Sequence, residues 1–432
     1  MRKTVSILVF LMGFIIITSI FLPQSANAVP AFARQTGLAC SSCHFQHYPT
    51  LNAFGRAFKA GGYTMVGGQS LIEGDMLSLP SVLNASMVLK VRYQKTNGDY
   101  YYTDSDGNPT LKKSEADDPD VTTSGKIGTN MGALQFPDEA ALLIGGRAGE
   151  HVGFLLEGQM ADPDGAFFAS FKMPFVYDVA GSKISIIPFA TDAGGAPYGF
   201  ELLNTGALRM SRTLEHRGDI SAQQYVGTDK EAEGIAIVGY NNMGYLNVTL
   251  WTPNHGEVAV NRPAYYFRVA ATPTVSGWDV GGGIQYWTGK VGRDADGGGD
   301  LETNAMAVDV QAQGKVSTMP LGVYVTYASA DKSETDSPNW FNSGTEGSKN
   351  AVAFVAELGV LPNKATVALG YRAGDTGADD NNKDNAVFFG ATYQMVQNVQ
   401  FQLNHSSYSG DKYDTKPSTG DQLTTLMLFT AF

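Results

Sequence analysis

The chain is poor in cysteine: only two of its 432 residues, Cys40 and Cys43, carry a thiol. So few thiols exclude a small domain held together by a network of disulfides. Positive charge is also scarce, since 30 Lys and Arg residues face 42 Asp and Glu, which leaves a formal net charge of −12. Such an excess of negative charge disfavours binding to phosphate backbones, so we expect no nucleic-acid partner.

Long apolar runs are missing outside the first 28 residues. The one such run, Val5 to Leu22, follows Arg2 and Lys3 and precedes Ala26-Asn27-Ala28, which matches an A-x-A cleavage pattern. We therefore predict that residues 1–28 are a secretory signal peptide. An uncleaved anchor helix is the alternative, because the run approaches the length of a membrane span.

The two cysteines lie in the sequence Cys40-Ser41-Ser42-Cys43-His44. Two thiols three positions apart, followed directly by a histidine, are the pattern of covalent c-type haem attachment. The thiols would bond the two haem vinyl groups, and His44 would be the proximal iron ligand. A disulfide or a thioredoxin-like dithiol is the alternative, but neither explains the histidine. We predict one covalent haem c.

The whole chain has 50 glycines, and the part after the haem motif has many segments in which apolar and polar residues alternate. In Val399–His405, for example, Val, Phe and Leu share one face, and Gln, Gln and Asn share the other. Polar alternation over about ten residues is typical of a transmembrane β-barrel, whose outer face contacts lipid. A soluble β-sandwich also alternates, but its strands are usually shorter and its polar face points outward.

Sixteen such strands are predicted within residues 83–432, joined alternately by tight turns and long connections, as in outer-membrane barrels. We therefore expect an all-β fold: an antiparallel transmembrane barrel of about 16 strands in the outer membrane of a Gram-negative-type bacterium. The predicted strands lie near 83–95, 138–147, 151–160, 166–177, 183–191, 234–240, 244–251, 263–273, 277–289, 303–316, 320–330, 350–360, 364–374, 385–395, 398–408 and 421–432.

One connection, residues 192–233, is much longer than a turn, and uncommonly long loops are usually functional. It resembles the inward-folded constriction loop of sixteen-stranded porins. The alternative is that it contains two more strands, Phe200 to Leu208 and Gln223 to Thr228, which would make eighteen.

Five long connections, within 96–137, 290–302, 331–349, 375–384 and 409–421, hold 22 acidic and 10 basic residues. A negative rim concentrates cations near the barrel mouth. Two pieces, Asp104 to Asn108 and Asp294 to Glu302, space carboxylates around glycine as loops that bind hard cations do. Solvated loops that bind no metal explain the same acidity.

The residues around the haem motif resemble a known family. They are Pro30 to Gly37 before Cys40, and Pro49 to Lys59 with Gly62-Tyr63 after it. These stretches look like the fused monohaem cytochrome-porins, outer-membrane proteins associated with oxidation of extracellular Fe(II). The resemblance implies a c-type cytochrome segment, residues 29–82, that plugs a barrel of residues 83–432. It also implies that electrons pass from Fe(II) to a periplasmic c-type cytochrome. If the protein is an enzyme, it would then be an Fe(II):cytochrome c oxidoreductase.

The distal iron ligand has several candidates. Met65 is favoured because it lies far enough from His44 to reach the opposite haem face, and a Met/His pair would raise the potential. An open position is also possible. The other candidates are Met76, His151 and His216, and the residues considered for pairing with the haem propionates are Arg34, Arg56 and Lys59.

Three other functions remain open at this point. A haem-bearing diffusion porin would conduct solutes through the polar interior of the barrel. Outward electron export would use the same parts with the driving force reversed. A haem peroxidase would require an open iron site.

Overall fold

The computed structural model describes residues 30–75, 77–98, 132–160, 167–207, 221–258, 262–292, 300–415, 417 and 420–432. Antiparallel strands form a closed barrel, in which the last strand pairs with the first. Each of the sixteen predicted strands is present, so the prediction of an all-β, sixteen-stranded barrel is confirmed. The eighteen-strand alternative is wrong, because residues 200–207 contain only a short 3-10 turn and Ala222–Val226 is helical.

Two of the sixteen strands are interrupted: Phe168–Lys172 and Phe175–Val179 both pair with Ser182–Thr191, and Ala264–Ala271 and Thr274–Val275 both pair with Trp278–Thr288. Two small ribbons, formed by the first two strands below and by Lys290–Val291 with Leu301–Glu302, lie outside the barrel. The strands are β1 (Leu71–Gly74), β2 (Leu77–Pro80), β3 (Ala85–Thr96), β4 (Ala133–Arg147), β5 (Gly153–Gln159), β6 (Phe168–Lys172), β7 (Phe175–Val179), β8 (Ser182–Thr191), β9 (Ala232–Asn241), β10 (Gly244–Pro253), β11 (Ala264–Ala271), β12 (Thr274–Val275), β13 (Trp278–Thr288), β14 (Lys290–Val291), β15 (Leu301–Glu302), β16 (Ala305–Val316), β17 (Met319–Ala330), β18 (Lys349–Leu361), β19 (Ala365–Asp375), β20 (Asn385–Val396), β21 (Val399–Ser409) and β22 (Gln422–Ala431).

Helices are short. In the part of the chain that the structure describes, three precede the barrel, α1 (Ala31–Thr36), α2 (Cys40–Cys43) and α3 (Ala53–Ala60), and α4 (Ala222–Val226) lies in the long connection between β8 and β9. Among the described residues, no helix combines the length and the apolar character needed to cross a membrane.

The barrel wall has apolar side chains outside and polar side chains inside. Along β11, Tyr266 and Arg268 point inward and are fully buried, whereas Phe267 and Val269 point outward and are 38% and 58% exposed. Strand geometry places successive side chains on opposite faces, so the sequence alternation becomes this division. Large apolar side chains cover the outer face of many strands, which suits contact with hydrocarbon and not with water.

The two ends of the barrel differ. Tight turns such as Asn241 to Gly244, Val316 to Met319 and Val396 to Val399 lie at one end, which we call the inner mouth. The long connections lie at the opposite end, the outer mouth. β3 begins and β22 ends at the inner mouth, and the residues before β3 fold into it.

Candidate functional site

The Cys40–Cys43 pair lies on one helical turn, α2, at the inner mouth. Residues three apart on a helix share a face, so both thiols lie on the same side of this turn. Both are half-buried and free, and burial raises the pKa of each thiol. The side-chain amide of Gln397, in the turn between β20 and β21, lies 3.7 Å from the Cys40 Sγ atom. The motif therefore contacts the barrel rim.

The His44 imidazole follows directly, and it packs edge-on against the Tyr48 ring with centroids 5.4 Å apart. Tyr48 in turn stacks on Phe429 of β22 at 5.7 Å. The buried Nδ1 atom of His44 has no hydrogen-bond partner among the described residues. Desolvation lowers the pKa of His44 to about 4, and backbone groups of Pro49 and Thr50 only partly oppose this shift. The imidazole is thus neutral at physiological pH, which is the form that binds metals.

The helix α3 and its N-cap residue pack directly against the Cys40–Cys43 turn. Asn52 caps α3 by accepting a hydrogen bond from the Gly55 amide at 2.9 Å, and its own side-chain amide donates to the Ser42 carbonyl at 3.0 Å. A Cβ atom at Gly55 would lie only 2.1 Å from the Cys43 carbonyl oxygen. Only glycine allows α3 to approach the Cys40–Cys43 turn this closely.

Two carboxylates of the barrel wall bind this segment from the side. The Glu357 carboxylate of β18 lies 2.5 Å from the Nε2 atom of His47 and also accepts a hydrogen bond from Thr366 at 2.7 Å. The Arg56 guanidinium donates to both oxygens of Asp279 in β13, at 2.6 and 2.8 Å. Both contacts are largely buried, so the Arg56 charge has a carboxylate partner and the His47 ring has a hydrogen-bond partner where water is excluded.

The long connection between β8 and β9 binds the same segment from inside the lumen. The side chain of Asn204 accepts from the Leu51 amide at 2.8 Å and donates to the Leu51 carbonyl at 3.1 Å. The Lys59 ammonium donates to the Glu201 carbonyl at 2.6 Å. Glu201 is itself paired with Arg268 of β11. The loop that follows His44 is therefore fixed from the wall and from the lumen.

These residues fit a covalently bound haem. Two thiols lie on one side of α2, the imidazole is neutral, and two aromatic side chains, Tyr48 and Phe54, are each 43% exposed at this site. Exposed aromatic rings of this kind suit contact with a large apolar ring system. Cys40, Cys43 and His44 would hold the group, which remains a prediction.

For the other predicted iron ligands, the described residues show no contact with His44. Met65 is 40% exposed and its carbonyl accepts a hydrogen bond from Gln35 at 2.8 Å, and its role as distal ligand stays a prediction. His151 lies in the turn between β4 and β5, with its ring 5.2 Å from that of Tyr177. Met76 and His216 lie outside the described residues.

Of the residues considered for the haem propionates, Arg56 and Lys59 bind the protein itself, as described above, while Arg34 is exposed. Glu201, Asn204 and Asp279 are partners of the haem-motif segment that no sequence pattern predicts. The alternation of residues 352–360 puts Glu357 on the polar face of its strand, and a charge on an inward face is the one available signal.

The predicted cation-binding loops fall largely outside the described residues: Asp104 to Asn108 entirely, and Asp294 to Gly299 of the second. In the described part of the chain, no three His, Cys, Asp or Glu residues lie close enough together to hold a metal ion.

No protein-family model and no curated protein matches the chain. Solved structures of similar shape include OmpF of Salmonella typhi in complex with daunomycin, at 13% identity and a TM-score of 0.49, covering 84% of this chain and 100% of that one. The outer membrane channel DcaP of Acinetobacter baumannii has 13% identity and a TM-score of 0.48, with 81% and 97% covered. An anion-selective porin from Comamonas acidovorans has 12% identity and a TM-score of 0.47, with 81% and 99% covered.

Proposed function

We propose that this chain is an outer-membrane electron-transfer protein that carries one haem c on Cys40 and Cys43, with His44 as the proximal ligand. The observation that carries the proposal is the position of the Cys40–His44 motif in the mouth of a closed barrel with an apolar outer face. When bound, haem c supplies a carrier for single electrons.

The proposed electron donor is extracellular Fe(II), and the proposed acceptor is a periplasmic c-type cytochrome. The acidic long connections support a cationic donor at the outer mouth. The resemblance to cytochrome-porins supports the direction of transfer. The inner mouth, where the motif lies, would face the periplasm, because outer-membrane barrels have their short turns on that side.

The protein's own residues would hold and shield the group. His44 presents a neutral imidazole, and the stacked pair Tyr48–Phe429 packs against one side of it. The pairs His47–Glu357 and Arg56–Asp279 fix the segment against the wall. Rigid support matters because the rate of electron transfer depends on the distance between donor and acceptor, and a fixed segment keeps that distance constant.

The test uses the full-length protein, expressed with a cytochrome c maturation system and purified in detergent. We expect a pyridine haemochrome spectrum of one haem c per chain, lost in a Cys40→Ala/Cys43→Ala variant and kept in the matched control Ser41→Ala. Anaerobic stopped-flow mixing with Fe(II) should then reduce the haem. Absence of haem refutes the proposal as a whole, whereas haem that Fe(II) fails to reduce at a favourable potential refutes only the donor.

A haem-bearing diffusion porin is the second candidate, favoured by the polar inner face of the barrel. Against it, the described part of the long connection occupies lumen space beside β11 and β16. There Arg268 of β11 pairs with Glu201 of the connection and with Asp309 of β16, and the side chains of Arg268 and Asp309 are fully buried. Single-channel recording in planar bilayers distinguishes the two, since a diffusion porin gives stable ohmic steps.

A further inference from the structure

Three lysines lie close to one tyrosine at the outer mouth, in a region that we call the outer vestibule. The lysines are Lys349 at the start of β18, Lys230 just before β9 and Lys412 in the connection between β21 and β22, and the tyrosine is Tyr225 of α4. Although these residues are far apart in the sequence, electrostatic interactions link Lys349 to both Lys230 and Lys412. The helix α4 packs against β17, β18 and β19 beneath them.

One buried carboxylate in the outer vestibule, Asp384, already pairs with two cations. Its Oδ1 atom accepts from Arg372 at 2.6 Å and from the Tyr413 hydroxyl at 3.2 Å, and its Oδ2 atom accepts from Lys412 at 2.5 Å. Asp384 also attracts Lys349 electrostatically, but it forms no ion pair with the Lys349 ammonium within 4.0 Å.

The other two lysines, Lys349 and Lys230, contact aromatic rings, and Lys230 also contacts a backbone carbonyl. The Lys349 ammonium lies 5.0 Å from the centre of the Tyr225 ring, and Lys230 lies 4.8 Å from the Trp340 ring and donates to the Trp340 carbonyl. Within the described ranges, neither ammonium has a carboxylate oxygen within 4.0 Å. The nearby Asp229 side chain accepts a hydrogen bond from Gln224 at 2.8 Å.

This arrangement favours an added anion. Neighbouring ammonium groups repel one another, and an anion between them removes that repulsion. The Tyr225 hydroxyl adds a donor, because its side chain is 92% buried, corresponding to 8% exposure, and its oxygen has no hydrogen-bond partner in the described structure. The acidic connections at the rim act over only about 8 Å at physiological salt.

We propose that the outer vestibule binds a small oxyanion, a phosphate or a carboxylate, through Lys349, Lys230 and Lys412. The oxyanion enters from the outer mouth and lies between the ammonium groups above Tyr225. The site does not depend on the haem, so its test succeeds or fails independently of the proposed electron transfer.

The test is isothermal titration calorimetry of the full-length protein in detergent, with inorganic phosphate and with citrate as probes. Phosphate binding should weaken at least about fivefold in Lys349→Gln, since one charged contact is lost. The matched control is Lys332→Gln, which removes the same charge from an exposed pair with Glu334 at the same end of the barrel. That variant should bind phosphate like the unmodified protein.

Heat-dependent mobility in gel electrophoresis shows whether each variant retains a folded barrel. A folded Lys349→Gln variant with unchanged affinity for both probes overturns the proposal. So does an equal loss in Lys349→Gln and Lys332→Gln, which would reflect overall charge. Failure of the unmodified protein to bind either probe at millimolar concentration overturns it as well.

Discussion

The two mouths of the barrel differ in how their basic side chains are paired. At the inner mouth, His47 pairs with Glu357 and Arg56 pairs with Asp279, so two basic residues of the haem-motif segment each meet a carboxylate. In the outer vestibule, Asp384 pairs with Arg372 and Lys412, whereas Lys349 lies on an aromatic ring and has no carboxylate in pairing distance within the described residues. The contrast between the mouths therefore lies in Lys349, whose ammonium has no carboxylate in direct contact.

The difference separates permanent contacts from exchangeable ones. A buried ion pair contributes little net stability, but removal of one partner is costly, so such pairs hold a segment in one position. Cations without partners instead raise the local concentration of mobile counter-ions. The inner mouth is therefore suited to holding the haem-motif segment, and the outer mouth is suited to exchange with the medium.

The strongest change to the inner mouth is His44→Ala. Because it removes the proposed proximal ligand but no contact with the wall, we expect loss of the native haem absorbance while the barrel still inserts into the membrane. Visible spectroscopy and heat-dependent gel mobility measure the two properties. An unaltered spectrum would refute the ligand role of His44.

Glu357→Ala tests whether the wall holds the segment. It leaves the buried His47 imidazole without its hydrogen-bond partner, and loss of the partner of a buried polar group costs about 2 kcal/mol, which is roughly thirtyfold in the population of the opened segment. Tryptic cleavage at Lys59 measures this population, provided that opening and closing are fast relative to cleavage.

The control for Glu357→Ala is Glu334→Ala at the outer mouth. Glu334 forms an exposed pair with Lys332 at 3.4 Å, so its loss should change stability by about 0.5 kcal/mol or less. If the two variants are cleaved equally fast, the His47–Glu357 pair does not hold the segment in place, and the contrast between the mouths is wrong.

Gly55→Ala tests the close packing of α3 on the Cys40–Cys43 turn. The added Cβ meets the Cys43 carbonyl, and overpacking of this kind costs about 2 kcal/mol. Cleavage at Lys59 should therefore rise by more than about tenfold, and haem incorporation should fall. Gly239→Ala is the matched control on β9, where a Cβ would meet no atom within 4 Å and cleavage should not change.

The smallest expected effect concerns the acidic connection that contains Asp294, Asp296 and Asp300. Their replacement by Asn should slow reduction of the haem by Fe(II) about two- to fivefold at low ionic strength, since fewer cations are attracted to the outer mouth. The difference should vanish at high salt, where such attraction is screened. Equal stopped-flow rates at low salt would exclude this attraction and leave the haem proposal intact.

Much of the barrel was predictable because its signal is local. Alternation with a period of two specifies which face of β11 or β21 meets lipid, and turn residues mark where a strand ends. The long connection between β8 and β9 was recognised by its length alone. The sequence does not decide whether residues 200–208 and 223–228 form strands, because short segments of this kind carry no periodic signal. Their contacts inside the lumen decide their conformation.

The Cys40–His44 motif likewise followed from adjacent residues, but its surroundings did not. Glu357 and Asp279 lie more than 200 residues from the groups that they bind. Nothing in the local sequence relates an inward carboxylate on β13 or β18 to a particular cation in the first 60 residues. The same holds for Asn204, which binds Leu51 through a segment that has no regular periodicity.

The sequence by itself determined that the chain forms an antiparallel barrel of about sixteen strands and that one short motif has the residues and the spacing of covalent haem attachment, because alternation and residue spacing are properties of neighbouring residues. Only the tertiary structure decided where that motif lies, which carboxylates bind its segment, and that Lys349 has no carboxylate in pairing distance within the described residues. Those outcomes depend on the closure of the barrel, which brings strands hundreds of residues apart around one lumen.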